Sequence, residues 1–149
     1  MARNMTHDTH PLVKLLSEDR RYKLEAYRFV QAGLSYAQDV LGMGGEAVDS
    51  SGRRTKRSSA KSRAIRHVTG QDLCHALRQY AHQEYGLMAR LVLADWGIRS
   101  TSDFGEIVWN FIKIGTMSKS PSDRREDFDD VFDFETALVR EYEFEPAEA

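Results

Sequence analysis

Cys74 and His75 are adjacent in the 149-residue chain, and a thiolate with its base would need these two residue types in contact. Neighbours on a helix point about 100° apart and do not face each other, so packing explains Cys74 better than catalysis does. His75 and His82 are seven residues apart, two helical turns, whereas two histidines closing on one metal ion need i, i+4 spacing. His7 and His10 lie in a polar N-terminal stretch that offers them no scaffold. The carboxylates between Asp123 and Asp133 invite a calcium reading, but the motif fails. Counting from Asp127, position 5 is Val131, position 6 is Phe132 and position 12 is Leu138, where an EF-hand requires an oxygen ligand, glycine and glutamate. No GxSxG, GxGxxG or Walker-type string is present. These residues therefore predict no catalytic centre, no cofactor and no metal ligand.

Charge is the other chemistry on offer. The net charge of −2 conceals a separation along the chain. Between Ser50 and Gln71 stand Arg53, Arg54, Lys56, Arg57, Lys61, Arg63 and Arg66, with no acidic residue among them. From Ser122 to Ala149 there are eleven acidic residues against three arginines. Seven uncompensated cations can neutralise phosphates in a sequence-independent and salt-dependent way. No aromatic residue lies between Asp49 and Gln71, so base stacking within the run is absent. A solvated spacer, or a handle for an acidic protein surface, explains the run at least as well.

The elements that position these residues follow from periodicity. At 41% hydrophobic and 30% charged residues, the composition is that of one globular domain. No run approaches the roughly 18 apolar residues of a membrane span, and no apolar run follows Met1. One cysteine excludes an intramolecular disulfide and a Cys-rich zinc site, which predicts a reducing, cytoplasmic setting. Residues 1–10 predict a frayed terminus, and 11–42 predict two helices, a short one after Pro11 and a longer one from about Arg20 to Leu41. The Gly-, Ser- and cation-rich stretch 43–65 has too few apolar side chains to offset the entropy of ordering, and predicts a flexible basic insert.

Residues 66–140 predict a helical core closed by a β-hairpin. Thr69 and Asp72 have the spacing of a capping box, and Leu73, Leu77, Tyr80 and Ala81 form the stripe behind it. Met88, Leu91, Val92 and Trp96 continue an apolar face to Gly97, and Phe104, Ile107, Val108, Phe111 and Ile112 make the next helix. Leu77, Leu91, Trp96, Phe104, Ile107 and Phe111 are the expected shared core. Phe128, Val131, Phe132 and Phe134 alternate with aspartates as a half-buried strand would. Residues 141–149 are an acidic tail. The fold class expected is mainly α (α+β), with helix–helix–helix–hairpin matching the element order of a winged helix.

The strings RHVTGQDL, ADWGIRSTSDFGEIVWN and REDFDDVFDFETAL carry a further indication. Together they resemble a family of small uncharacterised bacterial proteins known mainly from planctomycetes and verrucomicrobia. The resemblance spans Tyr22–Gly42 and most of Arg66–Leu138, and skips the basic insert and both ends. It implies a shared fold and transfers no activity or site residue.

In a winged helix the third helix enters the major groove. Here that helix carries Asp103 and Glu106 with only Lys113 as a cation, the wrong potential for DNA. The sequence therefore favours a non-enzymatic protein–protein interaction module, self-association included. The alternative is a nucleic-acid-binding regulator using the basic insert.

Overall fold

The computed structural model describes residues 10–43 and 68–142. Five α-helices carry them: α1 (Pro11–Glu18), α2 (Leu24–Asp39), α3 (Gly70–Tyr85), α4 (Ala89–Asp95) and α5 (Thr101–Lys113). A 3-10 turn, Gly86–Met88, separates α3 from α4, a second covers Arg125–Phe128, and a π-helix spans Glu135–Arg140. The seven insert cations expected to meet a partner, with residues 1–9, 44–67 and 143–149, lie outside the described residues.

Local signals set the helix ends. Pro11 opens α1, and the His10 imidazole accepts from the Leu12 N–H at 3.0 Å. Thr69 caps α3 by accepting from the Asp72 N–H at 3.1 Å. At α5 the acceptor is Asp103, whose carboxylate takes the N–H groups of Arg99 (2.8 Å) and Ser100 (3.2 Å). After α4 the Ile98 N–H reaches the Leu93 carbonyl and the Gly97 N–H that of Ala94, the Schellman pattern. Gly97 sits at φ +103°, and a β-carbon there would collide with the Arg21 carbonyl oxygen. Glycine is thus required both by the turn and by the close passage of the α1–α2 connection.

One apolar core joins these elements. Helix α2 presents Ala26, Phe29, Val30 and Gly33 to α3, where Leu77 occupies the space a Gly33 side chain would need. Phe29 stacks on Phe104 at 6.4 Å, and Tyr27 meets Phe111 edge-on at 5.4 Å. Phe104, Ile107, Phe111 and Leu77 are buried as the periodicity predicts, and Trp96 is partly buried against them.

Three expectations are corrected. The longer N-terminal helix starts at Leu24, not Arg20, because Asp19 and Arg21 turn the chain: the Asp19 carboxylate accepts from the Arg21 backbone N–H at 3.1 Å. Leu91 is 57% exposed and lies outside the core; its place is taken by Leu93. No strand occurs among the described residues, so there is no C-terminal hairpin and no wing, and the fold is helical.

The alternation of 128–134 has another origin. Asp123, Asp127 and Asp133 accept the N–H groups of Ser120, Arg124 and Thr136, which bends the chain locally instead of leaving those donors for a ladder. Asp130 sits at φ +50°, a left-handed conformation outside the extended region of a regular strand. Phe128 is buried where Gly70 and Gly105 lack side chains: added β-carbons would stand 2.9 Å and 2.8 Å from it. Residues 121–134 therefore form a strap across α3 and α5.

Candidate interaction surface

Cys74 is fully buried, and desolvation pushes its thiol up to about 12, so at neutral pH it is protonated. His75 is exposed beside the Phe132 ring at 5.6 Å. His82, two turns further along α3, holds the Leu138 carbonyl at 3.3 Å through Nε2 and meets Tyr142 edge-on at 4.8 Å. The two histidines thus serve different contacts. Among the described residues no group of three or more His, Cys, Asp or Glu side chains could hold a metal ion.

The acidic residues are mostly engaged within the fold. Arg21 donates to Asp19 at 2.7 Å and to Glu106 at 3.0 Å; Arg125 donates to Glu106 at 2.6 Å and to Asp129 at 2.8 Å. Hydrogen bonds from Arg21 hold the Asp19 carboxyl far below the usual carboxylate range. Arg125, then Arg21, lower that of Glu106, and the Ser102 hydroxyl, then Arg125, that of Asp129. Buried Asn110 completes the cluster by donating to Asp19 and to the Tyr27 hydroxyl, both at 3.0 Å. A general base near neutral pH needs a proton affinity close to that pH, and these carboxylates are moved away from it. Their arrangement clamps three segments together.

Helix α4 is different. With Leu87 and Met88 of the 3-10 turn that leads into it, its residues Ala89, Leu91, Val92, Leu93 and Ala94 make it apolar nearly all round, with Arg90 and Asp95 the charges. Such a helix is normally covered on every side. Here Ala89 and Leu93, one turn apart, are fully buried, while Leu87, Met88 and Leu91 are 43%, 55% and 57% exposed on the other side. Spacing of i, i+4 and i, i+3 puts these three side chains on one ridge. Gly86 starts it, at φ +55°, with the Tyr142 hydroxyl packed close by.

The ridge is held from both ends. Arg90 pairs with Glu135 of the π-helix at 3.6 Å, and Asp95 with Lys23 at 3.4 Å. Behind it Trp96 packs between Tyr85 (5.8 Å, edge-on) and Phe29 (6.0 Å). The outcome is a fixed apolar surface with a charged border.

The apolar periodicity puts Leu91 in the core and Met88 on the inward stripe, whereas both side chains face outward. The available signal was the near absence of a polar face between Leu87 and Ala94, which one core cannot satisfy. Among the described residues no helix is long and apolar enough to cross a membrane. No protein-family model, no curated protein and no solved structure matches the chain.

Proposed function

We propose that this protein is a non-enzymatic protein–protein interaction module and that the α4 ridge is its contact surface. The observation that carries the reading is the outward Leu87–Met88–Leu91 ridge on a short helix whose opposite side is in the core. Contiguous exposed apolar surface bordered by charge is a feature of binding sites. Leucine and methionine at its centre can be desolvated by a partner, and methionine adapts to irregular surfaces. The partner is another protein or a second copy of this chain. A reducing, cytoplasmic address fits the single buried cysteine. Kinship with the planctomycete and verrucomicrobial family belongs to the same proposal and adds no activity to it.

The test is a photo-crosslinking amino acid placed at Leu91 and, as a control, at exposed Gln79 on α3. A discrete adduct from position 91, lost when Leu87 and Met88 are both replaced by lysine, supports the reading. Identical patterns from both positions, or no adduct from position 91, overturn it.

The seven cations of the insert favour a second reading, nucleic-acid binding through that segment. It does not use α5, whose Asp103 accepts from the Tyr22 hydroxyl at 2.6 Å and whose Glu106 lies between two arginines. Retention on a generic duplex that falls steeply between low and physiological salt would favour it. Retention unchanged by replacing Arg53, Arg54, Lys56 and Arg57 with glutamine would remove it.

A further inference from the structure

We propose that a second site, the concavity between α2 and the turn after α5, binds a small organic anion whose carboxylate or phosphate is held by the Arg28 guanidinium. The concavity is open and measures about 480 Å³, within the range of small-molecule sites. Helix α2 supplies Arg28, Gln31 and Ser35 at i, i+3 and i+7, a polar strip turned away from the buried stripe of Ala26, Val30 and Gly33. Across from them stands Thr116. Its wall is fixed: the N–H groups of Thr116 and Met117 both reach the Phe111 carbonyl, at 2.9 Å and 3.3 Å, behind Gly115 at φ +81°.

Charge defines the class of ligand. Arg21, Arg78, Arg90, Arg124, Arg125 and Arg140 each pair with a carboxylate. No carboxylate among the described residues pairs with Arg28, and none lines the concavity, although the chain as a whole is acidic. The other lining side chains that carry polar atoms are an amide and two hydroxyls, all able to donate to an oxyanion. A guanidinium with two free donor edges matches the planar geometry of a carboxylate or the oxygens of a phosphate. The apolar part of the lining, Ala32, Leu34 and Met117, gives a short hydrocarbon or aromatic body a surface to rest on. A molecule with one anionic end and one apolar end satisfies both halves.

This site is separate from the α4 ridge and is tested separately. The intact chain is titrated with benzoate, phenyl phosphate and the neutral analogue benzamide, and the amide resonances of residues 28–35 and 116–117 are followed. Saturable shifts confined to those residues are expected with an anion, and the tighter of the two says which oxyanion the site prefers. Arg28→Gln should weaken that binding by about tenfold or more, and Arg28→Lys by less, because it keeps the charge and loses the fork. Arg99→Gln, at another arginine without a carboxylate partner, should change nothing. Shifts equal for benzamide, binding by Arg28→Gln equal to that of the unchanged chain, or no saturable shift with either anion would each overturn the proposal.

Discussion

Phe111 and Leu91 are both large apolar side chains on helices of the same core, yet their surroundings differ completely. Phe111 is 1% exposed, edge-on to Tyr27 at 5.4 Å, and carries the carbonyl that ends α5. Truncating a buried phenylalanine costs about 3–5 kcal/mol in transfer and cavity terms, a large share of the roughly 5–15 kcal/mol that stabilises a domain. Leu91 faces away from that core, so removing it leaves no cavity. Phe111→Ala should sharply lower the urea midpoint or abolish a cooperative transition, while Leu91→Ala should stay within about 0.5 kcal/mol. A Leu91→Ala loss comparable to that of Phe111→Ala would return Leu91 to the core and remove the ridge.

Among the elements, the π-helix Glu135–Arg140 depends most on its neighbours. Leu138 and Phe134 are buried beneath it, and α3 holds it through Arg78 to the Ala137 carbonyl (3.1 Å) and to Glu141 (3.3 Å), and through His82 to the Leu138 carbonyl. Burial lowers the proton affinity of the His82 ring, its bond to the Leu138 carbonyl opposes that, and the Arg78 charge adds to the lowering. Because the folded value lies below the unfolded one, the neutral-ring contribution is present above about pH 6.5 and is lost as pH falls below it. The ring is only partly buried, so screening keeps the effect below about 1 kcal/mol. Hydrogen exchange of residues 135–142 should therefore accelerate between about pH 7 and 5, after correction for intrinsic rates. His82→Gln, which keeps a donor for the carbonyl, should flatten that dependence. An identical pH dependence in both proteins would mean that His82 does not govern the π-helix.

At the scale of the whole molecule, the clamp of Asp19, Arg21, Glu106, Arg125 and Asp129 joins the α1–α2 connection, α5 and the strap. All three carboxylates have folded proton affinities below their unfolded values, so their contribution is complete above about pH 5 and is lost as pH falls through and below 4. Glu106 takes a bond from each arginine and is the link between the two halves. Glu106→Gln should cost about 1 kcal/mol at pH 7, since the pairs are partly solvated. The gap between variant and unchanged chain should narrow towards pH 3. Urea midpoints at pH 7, 5 and 3 give the comparison, and a gap that stays constant would show that the clamp adds no pH-dependent stability.

The sequence by itself determined what depends on near neighbours. Helix positions followed from the period of apolar residues, and the end of α4 from Trp96-Gly97-Ile98, because capping and the left-handed turn are contacts made within a few residues. Burial of Phe104, Ile107 and Leu77 followed from the same periodicity. Only the tertiary structure decided which side of an apolar helix faces inward: α4 offers Leu91 and Leu93 alike, and the placement of α3 and the π-helix selects Leu93. Tertiary contacts also turned residues 121–134 into a strap. Alternating Phe and Asp fit a strand until Gly70 and Gly105, 35 residues apart in the chain, open a seat for Phe128 and the aspartates find nearby N–H donors. The acidity of that segment is largely answered within the fold: Arg125 and the Ser102 hydroxyl engage Asp129, and local N–H groups engage Asp123, Asp127 and Asp133. The near absence of a polar face on α4 is legible in the sequence, but exposure of Leu91, and the isolation of Arg28 among the described residues, are properties of what does not pack against them and belong to three dimensions.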